Sequence, residues 1–239
     1  MRKIWGYELR RLLFNKYTAV FVAVIGFYSH WVMQGEIIIG VANTAPFSPW
    51  SFGVYMARVM PLLLVALLFF LSFLYSGDAQ AVRVLTDASS MKPERYRLIR
   101  YGAVAVAFFF ILLIPIIYAV CFYGITFQFT RFYTLIAPLA MVVFPSFFLT
   151  IGLGVLGARF HPAIIFALMP VVLVVSILPL PDWMDLYGTA FLMFYPVAMD
   201  TLDPPFYISS LQIVYKSIYM IVGIAFLISA IATKENRSQ

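Results

Sequence analysis

Long apolar runs separated by short polar stretches make up most of the chain. A bilayer core about 30 Å thick requires a helix of about 20 apolar residues, and six runs approach or exceed that length. They cover residues 17–39, 57–75, 101–125, 135–158, 162–180 and 208–233. Because these runs are continuously apolar and lack the alternation of a barrel wall, they predict about six transmembrane helices and no strands.

The segment before the first run, residues 1–16, has the periodicity of an amphipathic helix. At about 100° per residue its apolar and basic side chains fall on opposite sides. The apolar side carries Trp5, Leu9, Leu12 and Leu13, and the basic side carries Lys3, Arg10 and Arg11. Such an elbow helix should lie in the membrane interface. Two interpretations remain open: an ordinary juxtamembrane anchor, or an element that transmits motion from a docked partner.

The longest charged interruption, residues 76–100, separates the second and third runs. Its pattern predicts a short helix over residues 79–88 and a break at Ser89 or Ser90. A second helix should then begin near Pro93 and continue through Arg97 into the third run. The segment is longer than the roughly 2–8 residues that join neighbouring helices. It is either a solvated hairpin or a docking surface for a soluble partner.

Residues 181–207 are apolar but contain Pro196, Pro204, Pro205 and four aspartates. A full crossing here would place the C-terminus on the side opposite to the one that its basic residues favour. The segment is therefore predicted to be re-entrant. Irregular backbone at membrane depth must be covered by protein or water, which favours a second subunit at this place.

Composition and charge extend this picture. The 239 residues are 64% hydrophobic and 11% charged, with a mean hydropathy of +0.97, which excludes an ordinary soluble globule. All but three of the 16 lysines and arginines fall on one side of the predicted spans; the exceptions are Arg58, Arg131 and Lys216. The positive-inside rule then places both termini in the cytoplasm. The net charge of +6 reflects topology and anionic lipid, and does not indicate nucleic-acid binding.

Few residues in the predicted spans have ionisable or metal-binding side chains. Lys216 lies several residues inside the last run, where a charge usually faces a partner or a wet cavity. We therefore select it, with His30 and Gln34 of the first run, as a candidate for a transport path. No second histidine or cysteine lies at ligand spacing from His30, so no metal site is predicted. Near the outer ends of the spans, Glu36, Arg58 and Arg131 are expected to extend towards water.

Two further absences in the sequence limit the chemistry. Cys121 is the only cysteine, so neither an intrachain disulfide nor a thiolate metal cluster is possible. No segment matches GxxxxGK[ST], so no nucleotide phosphate site of that kind is predicted. The chain is therefore not expected to be an enzyme or to hold a cofactor.

Four segments, taken in order, resemble the membrane subunit of a type-2 ATP-binding-cassette permease. The first is WGYELRRLLFNKY, an amphipathic helix with an embedded acid, Glu8. The second is YSGDAQAVRVL, which leaves the second run, and the third is SSMKPERYRLIRYG, which enters the next one. The fourth is FYPVAMDTL at residues 194–202. One departure is that the family commonly has Glu-x-x-x-Gly-Thr after the second span, where this chain has Asp78 and no Gly-Thr pair.

The resemblance implies that ATP, with Mg²⁺, is hydrolysed by a separate cytoplasmic subunit. It also implies a second permease subunit, identical or different, and a coupling helix between spans two and three that docks on the ATPase. The residues implied in docking are Asp78, Arg83, Asp87, Lys92, Glu94, Arg95 and Arg97, with a second docking turn at Arg159 and His161. The expected location is a bacterial plasma membrane, crossed several times.

Three classes of function follow from the sequence. The first is export of an amphipathic or hydrophobic compound, such as a peptide, drug or lipid. The second is an intramembrane enzyme, which would lack residues for its chemistry because the spans have no paired acids, His-rich motif or GxSxG. The third is a non-transporting membrane scaffold or immunity-type protein.

Overall fold

The computed structural model describes residues 2–41, 43–75 and 93–232, and these ranges are helical apart from loops and one isolated bridge between Val41 and Thr44. In chain order the helices are α1 (Arg2–Leu13), α2 (Lys16–Val32), α3 (Pro49–Leu74), α4 (Pro93–Phe127), α5 (Ile136–Phe160), α6 (Ala163–Ile177), α7 (Thr189–Ala198) and α8 (Ser210–Ala232). A π-helical turn, Met33–Ile37, extends α2, and a 3₁₀ turn, Phe132–Leu135, precedes α5.

Four helices of the described chain, α3, α4, α5 and α8, are long and apolar enough to cross a membrane. The pair α1 and α2 meets the same criterion together and is bent by 57°. The prediction of an all-α chain is therefore confirmed for the described residues, which contain four or five candidate membrane spans. The count of six remains a prediction.

The run at residues 162–180 accounts for the difference between five candidate spans and the six predicted. It forms α6, which has 15 residues and a length of about 22 Å at 1.5 Å per residue. That is short of a bilayer core of about 30 Å. The helix ends where Leu178 turns to an extended conformation.

The second run also differs from its prediction, because α3 begins at Pro49 and not at residue 57. Ser48 caps this helix by accepting a hydrogen bond from the N–H of Ser51, and Pro49 occupies the first turn, where its missing N–H costs nothing. The first turns of α3 are fully buried, with Trp50 and Tyr55 at 0% exposure. Packing therefore extends the helix beyond its apolar run.

Burial is distributed as expected for a protein in lipid. The most apolar part of α3 is 67% buried and forms the centre of the bundle, whereas that of α8 is only 17% buried. The residues that α8 does bury are small or polar: Gln212, Lys216, Gly223 and Ala230. Most of its isoleucines are exposed, namely Ile213, Ile218, Ile221 and Ile228. This arrangement is typical of a span that faces lipid or another membrane subunit on most of its surface.

Helices α5 and α8 touch through their backbones. A Cβ added to Gly152 would lie 2.3 Å from the carbonyl oxygen of Gly223, and one added to Gly223 would lie 2.3 Å from the carbonyl carbon of Phe148. No other residue type fits such an approach without moving a helix. The two glycines therefore determine where these helices cross.

Candidate functional site

Polar side chains gather at the two ends of the bundle. The near end contains α1, the last turn of α3 and the first turns of α4. The far end contains the start of α3, the start of α8 and the segment between α6 and α8. Each end has two buried charged residues around which its contacts are organised: Glu8 and Arg100 at the near end, and Asp185 and Lys216 at the far end.

At the near end, Glu8 of α1 lies between two arginines. The Nε atom of Arg100 is 3.6 Å from its Oε1, and Nη1 of Arg11 is 4.0 Å from its Oε2. Arg100 also donates a hydrogen bond of 2.7 Å to the carbonyl of Leu74, and Arg11 donates one of 3.3 Å to that of Phe73. The arginines thus satisfy carbonyls at the end of α3, where a helix lacks partners of its own.

The same helix is held on α4 by an aromatic contact. The ring of Trp5 lies so close to Gly102 that an added Cβ would be 2.9 Å from it. With the contacts of Glu8, Arg11 and Arg100, this ties α1 to the two helix ends that flank residues 76–92. We call these five residues the near-end clamp.

Most of the expected docking charges lie outside the part of the chain that the structure describes. These are Asp78, Arg83, Asp87 and Lys92, and only the backbone of Glu94 is described, in the first turn of α4. Arg95 is exposed on the same helix. Arg97 is half-buried, and its Nε has no hydrogen-bond partner among the described residues. Two of the seven side chains are therefore placed, both beside the clamp.

The second expected docking turn is also at the near end. His161 is exposed, and its Nδ1 accepts the N–H of Ala163 at 3.2 Å, which helps to begin α6. Arg159 lies in the last turn of α5, close enough to Tyr75 to affect its ionisation. Burial raises the pKa of Tyr75 above its usual value, and Tyr101, whose hydroxyl is 2.9 Å away, raises it further, while Arg159 and Arg100 oppose this. The tyrosine therefore stays neutral.

At the far end, Lys216 is buried and bonded to main-chain carbonyls. Its Nζ donates to the carbonyl oxygens of Asp185 at 2.7 Å and Leu186 at 2.8 Å. The carboxylate of Asp185 accepts the N–H groups of Tyr187, Gly188 and Ala190 at 3.1, 2.8 and 2.8 Å. Asp185 thus caps the start of α7, and Lys216 holds the capping loop against α8.

The loop that carries Asp185 has a conformation that only glycine adopts readily. Gly188 has φ +75°, and a Cβ there would lie 3.3 Å from Nζ of Lys216. Tyr187, next to it, donates its hydroxyl to the carbonyl of Val172 at 2.8 Å. Burial raises the pKa of Tyr187, and the nearby Asp185 adds to the effect, so the hydroxyl remains a donor.

Residues 181–207 pack on the far end and contain no helix long enough to cross. Helix α7 has 10 residues, about 15 Å at 1.5 Å per residue. After α7 the chain packs against the start of α3 and the loop before it. The indole of Trp50 donates a hydrogen bond to the carbonyl of Pro204 at 2.9 Å, and Asp203 accepts one from the N–H of Ala45 at 3.3 Å. The re-entrant placement itself remains a prediction.

The three path candidates do not come together. His30 of α2 bonds the hydroxyl of Tyr118 in α4 through its Nδ1 at 2.8 Å, and Gln34 lies in the π-helical turn after α2. Lys216 instead faces the loop before α7. The described residues include no group of three or more potential metal ligands.

The sequence did not predict one ion pair. Arg58 lies nine residues inside α3, and its Nε is 3.0 Å from Oε2 of Glu36. The sequence predicts only that each of these two side chains extends towards water.

No family model, no curated protein and no solved structure matches this chain.

Proposed function

We propose that this chain is the membrane subunit of an ATP-binding-cassette transporter of the type-2 class, which exports an amphipathic or hydrophobic compound. A separate cytoplasmic subunit hydrolyses the ATP. The observation that carries the proposal is the near-end clamp. It joins the N-terminal helix to both helix ends that flank residues 76–92, the segment in which the resemblance places ATPase docking.

The clamp offers a physical route for coupling. A force applied to residues 76–92 acts on the last turn of α3 and the first turn of α4. Arg100 bonds Leu74 of α3 and also pairs with Glu8 of α1, so the three helix ends move as one unit. Buried, paired charges of this kind are costly to separate, which makes the unit stiff.

The charges at the two ends support the orientation that this function requires. Arg10, Arg11, Arg95, Arg97, Arg100 and Arg159 all belong to the near end. The segment between α6 and α8 has four aspartates and neither lysine nor arginine. The positive-inside rule then favours a cytoplasmic near end, where a soluble ATPase would dock.

Co-purification tests the proposal directly. A tagged chain extracted from its native membrane should recover an ATPase carrying the GxxxxGK[ST] motif. Arg95→Glu, alone or with Arg97→Glu, should abolish recovery because both side chains lie beside the expected docking segment. The matched control is Arg131→Glu, a charge reversal at an exposed arginine of the far end, which should leave recovery unchanged.

A second measurement addresses what is carried. ATP hydrolysis by the reconstituted complex should increase with an apolar or amphipathic compound. Stimulation only by sugars or ions would contradict the substrate class, and failure to recover any ATPase would favour a scaffold or immunity-type protein.

A further inference from the structure

Helix α1 has two opposite faces, and only one of them packs on the bundle, where Glu8 and Leu12 are 4% and 1% exposed. At about 100° per residue, Tyr7, Arg10 and Phe14 fall within roughly 60° of one another on the other side. Phe14 follows the last residue of α1, and its N–H continues the helical pattern by bonding the carbonyl of Arg10 at 2.9 Å. Tyr7 and Phe14 are 67% and 85% exposed, and Arg10 is exposed between them. We call these three residues the outer face of α1.

The exposed charges on this part of the protein are positive. Arg10 and Lys16 are exposed, and neither side chain forms an ion pair or a hydrogen bond with a described residue. The Nζ atom of Lys16 lies over the ring of Tyr17, 5.2 Å from its centroid. Glu8 is the only acid among the first 35 residues, and its side chain is buried in the near-end clamp. No negative side chain of this segment therefore offsets Arg10 and Lys16 at the surface.

Exposed aromatic rings beside unpaired cations fit the boundary between lipid headgroups and acyl chains. Helix α1 has 12 residues, about 18 Å at 1.5 Å per residue, which is too short to cross a bilayer. It is bent by 57° from α2, so it does not continue that helix along the same axis. Aromatic side chains are favoured at the membrane interface, and basic side chains of an amphipathic helix are attracted to anionic lipid.

We propose that the outer face of α1, together with Lys16, binds the headgroups of anionic phospholipids. Lipid phosphate oxygens accept hydrogen bonds from the guanidinium group of Arg10 and the ammonium group of Lys16. The rings of Tyr7 and Phe14 lie at the level of the first acyl carbons. The near-end clamp holds the opposite face of the same helix, so α1 is fixed between the lipid surface and α4. This lipid contact does not depend on the proposed export function.

A bimane fluorophore on Phe14→Cys, in a Cys121→Ser background, reports which lipid meets the outer face. The full chain is reconstituted in phosphatidylcholine nanodiscs that contain a small fraction of lipid with a nitroxide near the head of its acyl chain. This nitroxide lipid has either a phosphatidylglycerol or a phosphatidylcholine headgroup, and it quenches a fluorophore that it touches. We expect phosphatidylglycerol to bind here about fivefold more strongly, the effect of one basic side chain near an anionic surface. The preference should decrease between about 0.05 and about 0.5 M salt, because exposed charges are screened.

Variants at exposed positions assign the preference to particular charges. Arg10→Gln should lower it, and Arg10→Gln combined with Lys16→Gln should remove it. Arg10→Lys keeps the charge and should keep the preference. Arg131→Gln, which removes a charge from an exposed arginine at the far end, is the matched control and should leave quenching at position 14 unchanged. Quenching by the phosphatidylcholine nitroxide in each variant shows that the fluorophore still lies at the membrane.

Three results would overturn the inference. Absence of quenching by either lipid would place α1 away from the bilayer. Equal quenching by the two lipids would leave an interfacial helix without preference for anionic headgroups. A preference that survives in the double glutamine variant would assign it to other charges. The measurement needs neither ATP nor an ATPase, so its failure leaves the docking proposal intact, and failed ATPase recovery would not affect the quenching result.

Discussion

The buried side chains of Glu8 and Lys216 are stabilised in different ways. Glu8 lies between the guanidinium groups of two arginines. Lys216 instead has carbonyl oxygens as partners, because the nearby Asp185 uses its carboxylate to cap α7. A buried ammonium without partners would cost several kcal/mol. The loop before α7 is consequently bound to α8 through the lysine.

Replacing this lysine should loosen the far end. In Lys216→Met the carbonyls of Asp185 and Leu186 lose their donor, and an unpaired buried polar group costs about 1–3 kcal/mol. We expect a lower melting temperature in detergent, followed by intrinsic fluorescence. Arg131→Met, at an exposed far-end arginine, is the control and should melt like the unmodified chain. An unchanged melting temperature for Lys216→Met would show that the two bonds contribute little.

The near-end clamp makes a prediction about coupling between residues. Removing one partner of a buried ion pair costs about 3–5 kcal/mol, so both Glu8→Gln and Arg100→Leu should destabilise the protein. The double variant should lose less than the sum of the single losses, because the same interaction is removed only once. Denaturation in mixed micelles measures the three differences. Strict additivity would mean that Glu8 and Arg100 do not interact.

The sequence indicated which residues were unusual, but not what they touch. Lys216 stood out because an ammonium interrupts an apolar run. Its partners are main-chain carbonyls about 30 positions earlier in the chain, and no side-chain pattern marks a carbonyl. Glu36 and Arg58 were also noticed singly. Their pairing depends on how α2 and α3 pack, which hydropathy does not contain.

The length of an apolar run predicted that a helix is present better than it predicted where that helix begins and ends. The early start of α3 has a signal in Ser48 and Pro49, a cap followed by a first-turn proline, but Arg58 and the serines lower the hydropathy of that part. Burial of Trp50 and Tyr55 outweighs this. The end of α6 was predicted too late because residues 178–180 are apolar although the helix ends at Ile177.

The crossing of α5 and α8 leads to a prediction at this scale. Gly223→Ala places a methyl group 2.3 Å from backbone atoms of Phe148, which must push the helices apart and cost about 1–3 kcal/mol. Gly6→Ala is the control, since nothing lies within 4 Å of a Cβ there. Thermal denaturation should show a loss for Gly223→Ala and none for Gly6→Ala. Equal stability of the two variants would contradict the close crossing.

For the whole molecule, composition predicted the membrane environment and the helical class, and the outward-facing side chains of α8 agree with both. The number of crossings was harder to predict. A run of apolar residues does not reveal how much of it is helix, and α6 shows that the two can differ.

Sidedness can be tested by labelling single cysteines. On a Cys121→Ser background, Asp182→Cys and His161→Cys each place a thiol at an exposed position, one at each end of the bundle. A membrane-impermeant maleimide should modify Asp182→Cys in intact cells and His161→Cys only after permeabilisation, since the basic near end is predicted to be cytoplasmic. The Cys121→Ser chain without an added cysteine gives the background. The reverse pattern would invert the topology and exclude docking of a cytoplasmic ATPase at the near end.

The contact between Gly152 and Gly223 also provides a point about which α8 could tilt as a rigid helix. No side chain lies between the two backbones to deform, so the crossing acts as a fulcrum. Lys216 and Ala230 are each seven residues from Gly223, which makes two equal arms of about 10 Å. If α8 tilts as a rigid rod, a shift of the loop held by Lys216 produces an equal and opposite shift at Ala230. A displacement of this loop at the far end of the bundle would thereby move the other end of α8, at the near end.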